Sequence, residues 1–149
     1  MFSNNFKRNE SSTFVKLTDG GKIVGVFVGG PFEFRSNFKL KTQYPIDSTD
    51  YPEKTSVRFK INFMAFTDGK FFPFVFEGSK TTALNLEAML NKFGTDYMYE
   101  ISRVGSDKKT KYNILPERPL SEREKEDVKK IPLRELKLRD SDTDSDTSD

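Results

Sequence analysis

Residues 56–79 read SVRFKINFMAFTDGKFFPFVFEGS, and the alternation inside them decides the fold class. Val57, Phe59, Ile61, Phe63 and Ala65 fall on one side of an extended chain, while Arg58, Lys60, Asn62, Met64 and Phe66 fall on the other. A repeat of two with one apolar side is the pattern of a strand resting on a core. Asp68-Gly69 follows, a pair that accepts the positive φ of a tight turn, and Lys70–Phe76 resumes as a second strand. The stretch therefore predicts a hairpin. Pro73 has no amide hydrogen to donate, which places the second strand at an edge or a bulge.

Working upstream, Thr42–Lys54 holds two Tyr-Pro pairs and no periodicity, so it reads as a loop. Before it, Phe32, Phe34, Phe38 and Leu40 alternate with Glu33, Arg35, Asn37, Lys39 and Lys41, which predicts a half-buried strand over Phe32–Lys41. Gly29-Gly30-Pro31 interrupts that strand after Lys22–Val28, as a long strand that must curve would need. Thr13–Thr18 predicts a further short strand, closed by a turn at Asp19-Gly20-Gly21.

Working downstream, Ser79, Thr81 or Thr82 caps an amphipathic helix that includes Leu84, Leu86, Ala88, Met89, Leu90 and Phe93, and Gly94 stops it. Tyr97–Val104 reads as a strand with Tyr97, Tyr99 and Ile101 on one side. A basic turn, GSDKKT, leads to a last strand over Lys111–Leu115, and PERP breaks it. Ser121 and Glu124 have capping-box spacing and predict a second helix to about Lys130. IPLRELKL (131–138) is expected to pack loosely.

The chain of 149 residues contains 15 Phe and 5 Tyr. Each buried ring removes roughly 150–250 Å² from water, so one small core is within reach. The expected organisation is a flexible arm (1–12), one domain (13–118), a helical extension (119–138) and a disordered acidic tail (139–149). The tail, RDSDTDSDTSD, carries Asp140, Asp142, Asp144, Asp146 and Asp149. Removing those five negative charges from a total of +2 leaves +7 on residues 1–139. A basic body with an acidic terminus points to a polyanionic partner with which the tail competes; a plain solvated surface and a solubilising tail are the rival explanations.

With no His and no Cys, the commonest general base, thiolate chemistry and His/Cys zinc sites are removed. The glycine pairs match neither a Walker A loop nor G-x-G-x-x-G, and the tail lacks the glycine and closing glutamate of an EF-hand loop. The expectation is a protein that is not an enzyme, with no cofactor and no metal. No run of about 18 apolar residues is present and the start lacks an apolar leader, so a cytoplasmic protein without a membrane span is expected.

Strands, a hairpin, one helix and a final pair of strands fit a mainly β fold: a five-stranded oligonucleotide-binding (OB-fold) barrel with a helix between strands three and four. The run SVRFKINFMAFTDGKFFPFVFEGS, a helix, YMYEISRVGSDKKTKYNI and an acidic terminus together resemble the phage-type single-stranded DNA-binding proteins of OB-fold type, over roughly residues 13–115 plus the tail. The resemblance implies non-catalytic, largely sequence-independent binding of single-stranded DNA in phage DNA replication, recombination or repair, inside the host cytoplasm. In several such families the tail ends in an aromatic or apolar residue that docks on replication enzymes; here the end is Thr147-Ser148-Asp149, a departure that counts against such docking and leaves autoinhibition open.

Single strands offer phosphates and unstacked base faces, so their binders interleave cations with exposed rings. The candidates are Arg35, Lys39 and Lys41 on the curved strand, Arg58, Lys60 and Phe66 on the next, Tyr44 and Tyr51 in one loop, Lys108, Lys109 and Lys111 around the other, and Tyr99. Each has a plainer reading: the cations as the solvated side of a sheet, the rings as core or barrel wall. RNA is an alternative ligand. A protein-interaction module or DNA-mimicking inhibitor is the competing function, and a virion structural protein a third. Oligomeric state is open.

Overall fold

The computed structural model describes residues 13–37, 39–49, 51, 54–105 and 109–138. The predicted flexible arm, the acidic tail and Lys108 lie outside them. Six strands form one antiparallel sheet: β1 (Lys22–Asn37), β2 (Thr42–Pro45), β3 (Ser56–Thr67), β4 (Lys70–Ser79), β5 (Tyr97–Val104) and β6 (Lys111–Pro119). Its order is β4-β3-β1-β5-β6, with β2 paired to the far end of β1. Two helices complete the fold, α1 (Lys80–Phe93) between β4 and β5 and α2 (Glu122–Lys129) after β6.

The hairpin forms where the alternation and Asp68-Gly69 place it, with Thr67 opposite Lys70. Asp68 and Gly69 both take positive φ, 53° and 76°. Ser79 caps α1, its hydroxyl accepting from the Thr82 amide. Ser121 and Glu124 satisfy each other's amides in the capping box of α2.

β1 runs through the glycines without stopping. Gly29, at φ 78°, sits in a register irregularity between Val28 and Phe32, where four residues of β1 span two of β3. Gly25 is needed for a different reason: a side chain there would run into the β3 backbone at Met64 and the Phe63 ring. The strand ends at Asn37, so Lys39 and Lys41 stand in a turn. That corrects the expected strand over Phe32–Lys41. The side chain of Asn37 explains the ending, since it accepts from the Leu40 amide and donates to the Lys54 carbonyl. The segment read as a loop contains β2, whose Tyr44 and Gln43 lie opposite Arg35 and Ser36.

Among the described residues the sheet curls without closing: it is one six-stranded antiparallel sheet, where a closed five-stranded barrel was expected. Among the described residues β4 and β6 share no ladder. Thr13 and Val15 hydrogen-bond the outer edge of β4 at Val75 instead. That is a bridge, where a short strand was expected at Thr13–Thr18. On β6 the Ile114 amide is taken by the Asn85 side chain of α1. Each of these edges is thus contacted at one point, β4 at Val75 and β6 at Ile114. Phe76 of β4 and Tyr112 of β6 nevertheless meet edge to face, with ring centroids 5.4 Å apart.

The concave side holds the main core: Phe27, Phe59, Ile61, Phe63, Phe76, Leu86, Tyr99, Ile101 and Ile114, with α1 lying across it. The convex side carries a smaller one, in which Val26, Met64, Phe71, Met98 and Leu120 pack with Val128 and Ile131. Arg118 fastens α2 over it through a bidentate pair with Glu124, both hydrogen bonds 2.8 Å. Among the described residues no helix is long and apolar enough to cross a membrane.

Candidate nucleic-acid interface

The pairing register decides which side chains share a surface. Phe34 lies opposite Arg58 and Phe32 opposite Lys60, whereas Arg35 lies opposite Val57. Directly opposite residues of antiparallel strands project to the same side. Arg35 therefore faces away from Arg58 and Lys60, and the single basic stripe expected from the sequence does not exist.

One group of candidates does come together. Arg35 places its guanidinium 4.8 Å from the Tyr51 ring centroid, and Tyr51 lies 6.3 Å from Tyr44. Tyr44 reaches this point because β2 returns alongside β1. Arg35 also donates to the Thr55 hydroxyl at 3.3 Å, while its buried Nε has no hydrogen-bond partner among the described residues. The ring faces are half-open, and Lys39, Lys41 and Lys54 stand exposed around the same insertion between β1 and β3. A cation held over one ring, a second ring beside it and lysines around them can offer a stacking surface and phosphate contacts together.

The other candidates lie elsewhere. Arg58 pairs with Glu77 at 3.2 Å on the convex side. Lys60 is only 2% exposed, against the expectation of a solvated cation. Its Nζ donates to Gln43 Oε1 at 2.9 Å and to the Lys137 carbonyl at 2.6 Å, and lies 5.0 Å from the Phe34 ring centroid. Two acceptors and an aromatic face replace the water that a buried ammonium loses. Phe66 is half-buried against Phe71, with Arg118 over its ring, so it belongs to the seat of α2.

Tyr99 is completely buried in the main core, its hydroxyl donating to the Gly94 and Met89 carbonyls. Burial, with the neighbouring Tyr97, pushes its pKa up, so it stays neutral. It offers no ring to a ligand. Lys109 and Lys111 are exposed at the β5–β6 turn, near the start of β1 and at the opposite end of that strand from Arg35. Arg103 shapes that turn by donating to the Leu17 and Gly105 carbonyls and to the Thr110 hydroxyl. Asp140, Asp142, Asp144, Asp146 and Asp149 lie outside the described residues, as Lys108 does.

Sequence reasoning missed Asn62 and Thr55. A carboxamide inside the apolar run INFMAF is itself a signal, because a buried amide demands partners. Asn62 is 4% exposed and exchanges two hydrogen bonds with the backbone of Arg134. Thr55, by contrast, carries no signal that the sequence makes visible. Among the described residues no group of three acidic side chains could hold a metal ion. Compared with family models, curated proteins and solved structures, the chain matches none.

Proposed function

We propose that this protein binds single-stranded DNA without catalysis, as an open variant of the OB-fold. With β2 set aside, five long strands curl round one core and a helix follows the third of them, which is the connectivity of that fold. The observation that carries the reading is the Arg35–Tyr44–Tyr51 group, in an insertion after β1 that also carries the exposed Lys39, Lys41 and Lys54. Lys109 and Lys111 at the other end of β1 extend the track for phosphates. Such a surface recognises a charged chain and flat faces, so it tolerates any base sequence. The +7 charge of residues 1–139 draws the polyanion in, and the aspartates after Arg139 compete for the same cations over a screening length of ~10 Å. The work that suits such binding is protection of exposed strands during phage replication, recombination or repair.

Fluorescence anisotropy with a labelled oligo(dT) at 50 mM salt tests this. Binding is expected in the nanomolar to micromolar range and falls steeply as salt rises, as counterion release requires. No detectable binding at 50 mM salt overturns the proposal. A matched RNA and a duplex in the same titration set the preference. The second reading, a protein-interaction module, has one observation in its favour: the convex face of β3 already holds an extended polypeptide, residues 132–138. Capture of a stoichiometric protein partner without affinity for nucleic acid favours it.

A further inference from the structure

The segment after α2, read as loosely packed, lies on the convex face of β3. Asn62 donates from Nδ2 to the Arg134 carbonyl at 3.1 Å and accepts the Arg134 amide on Oδ1 at 2.8 Å. Further along, the Lys60 ammonium takes the Lys137 carbonyl. Beyond Ile131 the segment makes none of the backbone–backbone hydrogen bonds of a strand among the described residues. Its side chains face mostly outward, with Leu133 51% exposed and Arg134, Glu135 and Lys137 exposed as well. Two side chains of β3 thus hold it by its main chain.

That mode of attachment is unlike the rest of the convex face. Under α2 the cover is apolar, with Val26, Met64, Met98 and Leu120. Where residues 132–138 lie, β3 presents the Lys60 ammonium, 5.0 Å from the fully buried Phe34 ring of β1 and 5.7 Å from the Phe14 ring, with the Asn62 carboxamide two residues further along β3 and Phe32 of β1 stacked 6.2 Å from Phe34. Burying an ammonium and an amide gains little over an apolar pair for stability alone. They read a carbonyl oxygen and an adjacent donor–acceptor pair, and neither belongs to a particular side chain of the segment. A base edge presents the same donor–acceptor pair to asparagine, and a phosphate or base oxygen the same acceptor to lysine.

We infer that the convex face of β3 is a second, covered binding site for single-stranded nucleic acid, occupied in cis by residues 132–138 and opened when a strand displaces them. The inference rests on the function proposed above and adds Lys60, Asn62, Phe32 and Phe34 to its binding residues. β2 joins the two surfaces: Gln43 meets Lys60 on the convex side, and Tyr44, the next residue, lies with Tyr51 and Arg35. Displacement also carries away the aspartates, which begin at Asp140, two residues after Leu138. A strand long enough to take both surfaces gains from opening the second, whereas a short one gains only the first.

The chain has no cysteine, so Asn62→Cys with Arg134→Cys creates a single pair across this junction. A 20-nucleotide oligo(dT) is titrated at 50 mM salt into the oxidised and the reduced forms of that one variant. The locked form is expected to bind about tenfold more weakly than the reduced form, which regains the part of the affinity that Lys60, Phe32 and Phe34 contribute without the Asn62 carboxamide. Equal binding by the two forms overturns the inference and leaves the proposed function standing. No binding by either form or by the unaltered protein overturns the proposed function itself. A second variant, Arg134→Pro, keeps every β3 side chain and removes the amide that Asn62 accepts. It is expected to bind the 20-mer about threefold to tenfold more tightly, with a 6-mer unchanged; unchanged or weaker 20-mer binding counts against the inference.

Discussion

On its concave side β3 contributes Phe59, Ile61, Phe63 and Ala65 to the main core, and on its convex side it contributes Lys60, Asn62 and Met64, each of the seven less than 5% exposed. Equal burial has unequal causes. The concave side is closed by rings within one layer, such as Phe27 against Phe63 at 4.9 Å and Phe59 against Phe76 at 5.9 Å. The convex side is closed at Lys60 and Asn62 by a peptide segment that arrives more than 70 residues later. Close packing is unforgiving of missing volume, whereas a hydrogen-bonded cover can leave without the core noticing. One face of the strand is therefore held by close packing and the other, at Lys60 and Asn62, by a hydrogen-bonded cover.

The sharpest way to break that contrast is to remove one side chain from each face. Phe63→Ala deletes a fully buried ring and is expected to cost about 3–5 kcal/mol in urea unfolding. Asn62→Ala leaves the Arg134 backbone and little else unpartnered, and is expected to cost about 1–3 kcal/mol. Amide exchange adds the decisive detail. Phe63→Ala should accelerate exchange throughout β1, β3 and β5, while Asn62→Ala should accelerate it at Arg134 and its neighbours. Equal, global acceleration by both would mean that the cover is part of one cooperative core.

The concave side was legible in the sequence because its information is local. Alternation at Val57–Ala65, the Asp68-Gly69 turn and the cap at Ser79, one of three candidates, each involve a few neighbouring residues, as does the Ser121–Glu124 box on the convex side, and each forms as its local pattern allows. Lys60 looked like a solvated cation because nothing near it in the chain covers it. The basic stripe failed on register: alternation says that Arg35 and Arg58 each sit on a polar side, but only pairing says whether those sides coincide. Opposite Phe34, Arg58 faces away from Arg35. Composition made Tyr44 and Tyr51 candidates, yet their meeting depends on four residues of β2 too short to show a period.

Surface substitutions at the β1–β2 insertion sharpen the contrast from the other direction. Tyr44→Ala removes a half-exposed ring beside Tyr51, and is expected to leave the unfolding midpoint nearly unchanged. Its effect on oligo(dT) affinity is expected to be about 1–3 kcal/mol, the usual worth of one stacked base, read by anisotropy. Lys39→Gln and Lys41→Gln together should act more weakly and through salt. Each phosphate that the protein no longer neutralises flattens the plot of log affinity against log salt by about 0.7 for a single strand. A change in affinity at high salt with no change in slope would show that these lysines shape the turn and do not touch phosphates.

The smallest effect concerns α2, the apolar end of the convex cover. The Glu124 carboxylate accepts two hydrogen bonds from Arg118 and one from the Ser121 amide, while the Glu124 amide donates to the Ser121 hydroxyl. The Arg118 hydrogen bonds, ahead of the Ser121 ones and against some loss of hydration, hold its pKa down at about 2. An unfolded glutamate titrates at about 4.3. Lowered in the folded state, the group contributes stability in full above the unfolded value and loses it as pH falls towards about 2. Arg118 is 45% exposed, so water screens the pair, and its worth is on the order of 1 kcal/mol or less. Comparing Glu124→Gln with the unaltered chain by urea unfolding from pH 7 to pH 2 should give a constant difference above pH 5 that shrinks below it. A difference that persists undiminished at pH 2 would assign the loss to the neutral cap geometry and not to the charge, and would make α2 a packed part of the core like the concave side.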